Sequence, residues 1–375
     1  MRDAGTLRVA PRVHFGFGAR SQLPVLLSGR VLAVVDPFLL GHPVLDLLGD
    51  ARIHSDVTPE LPVGTLDEAG SLARTFAPDV IVAIGGGSAL DAAKLIALLA
   101  THDGPLSRYY GENLVPGPVV PVIALPTTAG TGSEVTPVAV VSDPDRELKV
   151  GISSPFLVPA VAIVDPELTM GAPTTVTAYS GIDALVHAAE SFTARRLDLD
   201  WSAELPVFTG RNALAEPLAL RAAAHLGPWL PVAVRAPGDR RAREEVAKGS
   251  LLAGLAFGST GTHLCHALQY PIGALTKTPH GLGTGLLLPY VLPLLDPDRV
   301  SEFGVALGTD DAVGRIAEIN RAIGVPASLS DIGVRRDQLP RIADLALGSA
   351  RLLAIAPIDP TREVLLDILE RALRG

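Results

Sequence analysis

Five short runs of aliphatic and β-branched residues, at 31–35, 80–84, 119–125, 138–141 and 161–164, fall within the first ~165 positions, and after Asp165-Pro166-Glu167 such runs nearly vanish. Apolar runs of this length, bounded by Gly or Pro, are what strands buried on both faces look like. The stretches between them, such as 66–76 and 89–99, place apolar residues at helical spacing. Strands alternating with helices build a mainly parallel sheet covered by helices. From about Thr174 onward, Ala- and Leu-rich segments of helical period dominate. A chain of 375 residues exceeds one ordinary core. The sequence therefore predicts an α/β, Rossmann-like domain over 1–170 and an all-α domain over 171–375. Inside the second domain, 195–217 breaks the helical pattern with Pro206, Gly210 and Pro217 and reads as a long loop.

Composition narrows the function classes. No run reaches transmembrane length, and the first residues lack the apolar stretch of a secretion signal, so the expectation is a cytoplasmic protein with no membrane partner. The single cysteine, Cys265, excludes an intrachain disulfide and a cysteine-rich zinc module. A net charge of −9 argues against sequence-independent nucleic-acid binding. The basic cluster Arg240-Arg241-Ala242-Arg243 reads as a solvated helix face.

Two glycine-bearing loops follow buried strands. In Ile84-Gly85-Gly86-Gly87-Ser88-Ala89-Leu90-Asp91 the strand runs through three glycines into a helix, whose exposed amides form a site for phosphate. The same residues also make a tight turn capped by Ser88 that needs no ligand, and the G-x-G-x-x-G spacing is absent. The second loop, Pro126-Thr127-Thr128-Ala129-Gly130-Thr131-Gly132-Ser133-Glu134, packs hydroxyls between glycines. Loops at strand ends are where open α/β sheets bind ligands, so the pair predicts a nucleotide site. Asp36 ends the first run, where a carboxylate accepts from a ribose and repels a 2′-phosphate; capping the turn through Pro37 is its alternative role.

The second domain holds a possible metal set. Asp183 and His187 stand four residues apart, on one face of a predicted helix. Alone, such a pair reads equally as a surface ion pair or a buried histidine. Three of the nine histidines, His263, His266 and His280, then fall within eighteen residues of an apolar region, where imidazoles need partners and a metal provides one.

In this order the motifs resemble the iron-containing (group III) alcohol dehydrogenase family, which shares its fold with dehydroquinate synthase. The resemblance covers Phe15-Gly16-Phe17-Gly18, 85–94, 126–134, Asp165-Pro166-Glu167, Asp183 with His187, His266 with His280, and 357–360. It implies that Asp183, His187, His266 and His280 ligate one divalent ion, iron(II) with zinc as the alternative. It implies that Gly86, Gly87, Ser88, Asp91, Thr127, Thr128 and Thr131 line NAD(P)(H), with NAD(H) preferred through Asp36. Cys265 is then a small core residue. The implied activity is hydride transfer between the nicotinamide and a small alcohol, aldehyde or ketone, by a homodimer. The alternatives are a hydroxyacid–oxoacid transhydrogenase that retains its cofactor and, further off, a dehydroquinate synthase-like lyase. One departure bears on proton transfer. Many alcohol-active relatives carry a histidine where this chain has Tyr270, which makes Tyr270 and His263 the candidate catalytic groups.

Overall fold

A computed structural model describes residues 5–10 and 12–375. They form two compact units, one of Arg8–Gly171 and one of residues 5–7 with Ala172–Gly375.

The first unit contains β1 (Arg12–Phe15), α1 (Leu23–Leu26), β2 (Val31–Val35), β3 (Arg52–His54), α2 (Val63–Phe76), β4 (Val80–Gly85), α3 (Gly87–Thr101), β5 (Gly111–Glu112), β6 (Val122–Pro126), β7 (Val138–Val141), β8 (Val150–Ser153) and β9 (Val161–Val164). Six strands make one sheet in the order β1-β9-β6-β4-β2-β3, every neighbouring pair parallel. β2, β4, β6 and β9 are buried along their whole length. One face of the sheet packs on α2 and α3, with Leu66, Ala73, Leu95 and Leu98 in that core. The other packs Leu23, Val44, Leu48 and Leu168 against Val35, Ile84 and Leu125. Burial on both faces is why these strands read as unbroken apolar runs.

Two details depart from the sequence expectation. The run 138–141 is not in the main sheet: β7 lies in a small sheet ordered β5-β8-β7, antiparallel to β8. Its residues alternate between partly and fully buried, as suits a strand with one covered face. The run at 119–125 becomes a strand only from Val122, because Pro121 has no N–H to give to a ladder.

From β2 the chain moves outward to β3 and then returns past β2 to β4, so the winding direction reverses between β2 and β4. That reversal is where doubly wound sheets open a crevice at the strand C-termini. Asp36 leaves β2 on one side of it and Gly85-Gly86-Gly87 leave β4 on the other, joined by the Asp36 amide donating to the Ile84 carbonyl at 2.9 Å.

The second unit contains α4 (Thr174–Thr193), α5 (Glu216–Arg235), α6 (Arg240–Thr260), α7 (Leu264–Thr276), α8 (His280–Val291), α9 (Pro297–Leu307), α10 (Ala312–Ile323), α11 (Leu339–Leu347), α12 (Ala350–Ala354) and α13 (Arg362–Arg374). α4 is its axis: every residue from Gly181 to Thr193 is buried, against α5, α6 and α8. Between α4 and α5 the chain runs without helix. It is pinned by the Arg195 amide to the Ile355 carbonyl (2.8 Å) and the Thr209 amide to the Ser259 carbonyl (2.8 Å).

Gly281, Gly283 and Gly285 on α8 permit a close approach that other residues forbid. A Cβ on Gly281 would overlap the Tyr179 carbonyl oxygen of α4 and come within 2.9 Å of the Asp183 Cβ. One on Gly283 would overlap the Gln269 side chain of α7, and one on Gly285 would come within 2.5 Å of Ile182. Three glycines in a helix cost about 1 kcal/mol each. What they permit is the seating of α8 directly against α4 and α7, with His280 at its first turn.

Candidate metal centre and nucleotide loops

Asp183 and His187 stand one turn apart on α4, His266 in the first turn of α7, and His280 at the start of α8. The fold brings all four together. Asp183 faces the three rings, with Oδ2 3.8 Å from His187 Nε2, and Oδ1 3.9 Å from both His266 Nε2 and His280 Nε2. The ligating atoms of Asp183, His266 and His280 lie within 4.8 Å of one another. The His187 ring stacks on His266 (4.9 Å between centroids) and on Phe257 (4.2 Å).

Two groups outside the set aim it. Thr284 Oγ1 donates to Asp183 Oδ1 at 2.7 Å. Glu190, fully buried on α4, accepts at Oε2 from His266 Nδ1 (2.6 Å) and the His263 amide (2.9 Å), and at Oε1 from the Cys265 amide (2.6 Å). One carboxylate thus caps the start of α7 and fixes the His266 ring with Nε2 towards Asp183. Of the charges around it, burial pushes the Asp183 carboxyl up, but His187, His280, His266 and the Thr284 hydroxyl outweigh it and hold it below the ordinary aspartate value. Burial first, and then His187, push His266 well below the ordinary histidine value against the pull of Asp183.

These residues fit a divalent cation. His266 Nε2 is buried with no hydrogen-bond partner, an arrangement that costs free energy unless a further group meets it. The 3.8–3.9 Å separations are too long for hydrogen bonds, yet two ligands each about 2.1 Å from one ion stand about 3–4 Å apart. Three imidazoles and a carboxylate are nitrogen and oxygen donors suited to a divalent cation, and a second carboxylate behind one imidazole is a common support for such a ligand.

Tyr270, one turn beyond His266, lies with its ring 5.9 Å from that of His280, nearly parallel to it. His263 is fully buried on the far side of Glu190, its Nε2 3.0 Å from Thr193 Oγ1 and its Nδ1 3.3 Å from Glu190 Oε1. Burial lowers its pKa. Cys265 is buried, and burial with the nearby Glu190 charge keeps its thiol protonated.

In the α/β unit the two glycine loops touch. A Cβ on Gly87 would come within 2.6 Å of Thr131, and one on Gly86 would sit 3.4 Å from Thr128. The Thr127 amide donates to the Gly85 carbonyl (2.9 Å), and Thr131 Oγ1 accepts from the Ser133 amide (3.3 Å). Ser88 lies in the first turn of α3, and Asp36 Oδ1 caps the following turn through the Phe38 amide (3.0 Å). The Asp91 carboxylate faces inward: Oδ1 accepts from Ser133 Oγ (2.5 Å) and Oδ2 from the Val140 amide (3.0 Å). Beside it, buried Lys94 donates to the Thr136 and Val138 carbonyls at 3.0 and 2.9 Å. Burial pushes Lys94 down to about 8, against the pull of Asp91 and Glu134, and pushes Glu134 up to about 7. Asp91 and Lys94 thus anchor the second loop from beneath.

Sequence reasoning left Glu190 and Thr284 without a role. The signal for Glu190 was available: it lies seven residues after Asp183 and three after His187, on the same helix face.

Both halves of the chain match known proteins. Residues 10–166 match the family model described as iron-containing alcohol dehydrogenase, and residues 177–373 match the model of the C-terminal part of the Fe-containing alcohol dehydrogenase family. The chain is 33% identical over 394 residues to long-chain-alcohol dehydrogenase 1 of Geobacillus thermodenitrificans, covering 97% of this chain and 96% of that one. Among solved structures, a 1,3-propanediol oxidoreductase superposes with a TM-score of 0.91 at 29% identity, covering 99% of this chain and 100% of the other. Sulfoacetaldehyde reductase from Bifidobacterium kashiwanohense, solved with NAD+, gives 0.86 at 28% identity over 98% of each chain. With both halves matched and the predicted ligands gathered in the helical unit, the chain belongs to the iron-containing alcohol dehydrogenase family, an oxidoreductase of alcohols and aldehydes.

Proposed function

We propose that this enzyme transfers hydride between NAD(H), in preference to NADP(H), and a small alcohol or aldehyde, using one divalent cation held by Asp183, His187, His266 and His280. The observation that carries this reading is the buried, unpartnered His266 Nε2 turned to Asp183 among three imidazoles. The cation supplies Lewis acidity towards the reacting oxygen, and the nicotinamide supplies or accepts hydride. Iron(II) is the assignment, on family membership; nitrogen and oxygen donors suit zinc equally.

The chain's own contributions follow from the geometry. Glu190 and Thr284 hold His266 and Asp183 in orientation, so little reorganisation accompanies loading. Gly86, Gly87 and Ser88, with Thr127, Thr128 and Thr131 facing them, bind the pyrophosphate through backbone amides and hydroxyls. Asp91 acts one step behind, bracing Ser133. Asp36 keeps one oxygen on the Phe38 amide and offers the other to a ribose, where a 2′-phosphate is repelled. Tyr270, stacked near His280, donates a hydrogen bond to the substrate oxygen. His263, behind Glu190, takes part in proton movement only through that carboxylate.

Initial rates of metal-analysed protein with NADH and NADPH over a panel of aldehydes test the reading. The expected result is chelator-sensitive reduction with the higher kcat/KM for NADH, and a preference relaxed by Asp36→Gly. Absence of hydride transfer in fully loaded protein would refute it.

A further inference from the structure

Of the ADP half of the dinucleotide, the pyrophosphate meets the two glycine loops and the ribose meets Asp36, which leaves the adenine base without a protein group. The chain beyond Asp36 is a short turn, Pro37–Leu39, held from several sides. Asp36 Oδ1 accepts from the Phe38 amide (3.0 Å), the Asp36 carbonyl from the Leu39 amide (2.8 Å), and the Pro37 carbonyl from the Leu40 amide (3.2 Å). The Asp36 amide ties the same turn to the Ile84 carbonyl of β4 (2.9 Å), and a Cβ on Gly85 would come within 2.8 Å of the Asp36 Cβ. The turn therefore stands as a rigid wall beside the first glycine loop, at the crevice between β2 and β4.

What this wall presents is Phe38. It is 96% exposed, more than any other large apolar residue described, whereas Leu39 beside it packs on the core of the sheet. Folding does not use the ring. Single exposed apolar side chains are common on proteins, so exposure alone assigns nothing. Position does more: the Phe38 amide is bonded to the carboxylate that faces the ribose, so a base carried on that ribose falls beside this turn. A purine has two flat π-faces, and a phenyl ring that is anchored at its backbone and open to water can cover one of them.

We propose that Phe38 is the stacking platform for the adenine base of the cofactor. This rests on the NAD(H) reading above. Two neighbouring residues then divide the adenosine end: Asp36 selects against a 2′-phosphate, and Phe38 supplies affinity for the base.

Fragments of the cofactor separate the base from the rest. Kd values for NADH, AMP and reduced nicotinamide mononucleotide, which lacks adenosine, are measured by calorimetry on the metal-loaded protein. In Phe38→Ala, NADH and AMP should both weaken about 5- to 100-fold, the range of one base–aromatic stack. The mononucleotide should bind as in wild type, and the melting temperature should not move, since the ring lies outside the core. Phe38→Trp should bind AMP at least as well as wild type, and its emission should fall on AMP addition beyond any change from Trp201 and Trp229 in wild type. Wild type that holds NADH but no AMP, unchanged AMP affinity in Phe38→Ala, equal weakening of the mononucleotide, or an unquenched Phe38→Trp at saturating AMP overturns the assignment. So does a smaller sedimenting species of Phe38→Ala with unaltered NADH affinity, which makes Phe38 a contact between copies. In each of these outcomes wild type still reduces aldehydes with NADH, and the oxidoreductase reading stands. Wild type that neither binds NADH nor reduces an aldehyde removes that reading, and this inference with it.

Discussion

Replacing Glu190 by glutamine changes one oxygen to an amide, at a side chain that accepts three hydrogen bonds and is fully buried. The new side chain has a single acceptor. With its oxygen in the Oε2 position it keeps the His263 amide and His266 Nδ1, and its NH2 faces the Cys265 amide, donor against donor. In the other orientation it opposes two donors, so the first prevails. The His266 bond then drops from charge-assisted to neutral, a loss of about 1–2 kcal/mol in the support of that ring. Loss of a carboxylate behind a metal-binding imidazole costs about 10- to 100-fold in affinity. Apoprotein titrated with zinc(II) or cobalt(II) against a chromophoric chelator measures this directly. We expect Kd to rise by that factor in Glu190→Gln, and Tm of the apoprotein to fall by a few degrees for the Cys265 contact alone. An unchanged Kd with a lowered apoprotein Tm would refute the reasoning and reduce Glu190 to a cap on α7.

Three other outcomes are expected. Gly281→Ala drives a methyl into the Tyr179 carbonyl, so it should destabilise the helical unit by about 1–3 kcal/mol and lower the metal content of purified protein, read by melting and elemental analysis. Glu134, with its pKa pushed up to about 7, keeps its proton in the folded state between its ordinary value and about 7, where the unfolded chain has lost it. Stability therefore declines as pH rises through that window, and Glu134→Gln should melt higher than wild type by a margin that grows from pH 5 to 8, up to about 1–3 kcal/mol; a margin independent of pH would contradict the assignment. Tyr270→Phe should retain its metal and lose about 10- to 100-fold in turnover, as for one transition-state hydrogen bond, and wild-type turnover would make the hydroxyl irrelevant.

The strands legible in the sequence were those buried on both faces, since only these write an uninterrupted apolar run. β1 (Arg12-Val13-His14-Phe15) and β3 (Arg52-Ile53-His54) are edge strands that mix charged and apolar residues over three or four positions, and nothing distinguishes them from loop. β7 gave a strand signal but not its sheet, because a run of four residues does not specify its partner. The density of histidines in an apolar region, with the Asp183–His187 spacing, marked residues that the fold does gather. Glu190 was harder: its partners are the backbone amides and ring of a segment more than seventy residues on, and a glutamate on a helix ordinarily reads as solvated. Asp91 shows the same limit in reverse. Its position in the glycine loop was evident, but the direction of its carboxylate is set by Ser133 of the second loop and the Val140 amide of β7, both more than forty residues on.

The pairing of β1 with β9 joins Arg12 to Val161, so the outermost parallel ladder closes over roughly 150 residues of intervening chain. On the ribosome, at about 5–20 residues per second, roughly 10–30 seconds separate the two strands. Until β9 is made, β1 has no ladder partner and β6 is paired only with β4. A nascent chain halted before Val161 therefore exposes two strand edges at once. Premature termination or slow codons just upstream of that point should yield insoluble product, whereas a pause after β9 leaves the α/β sheet already closed.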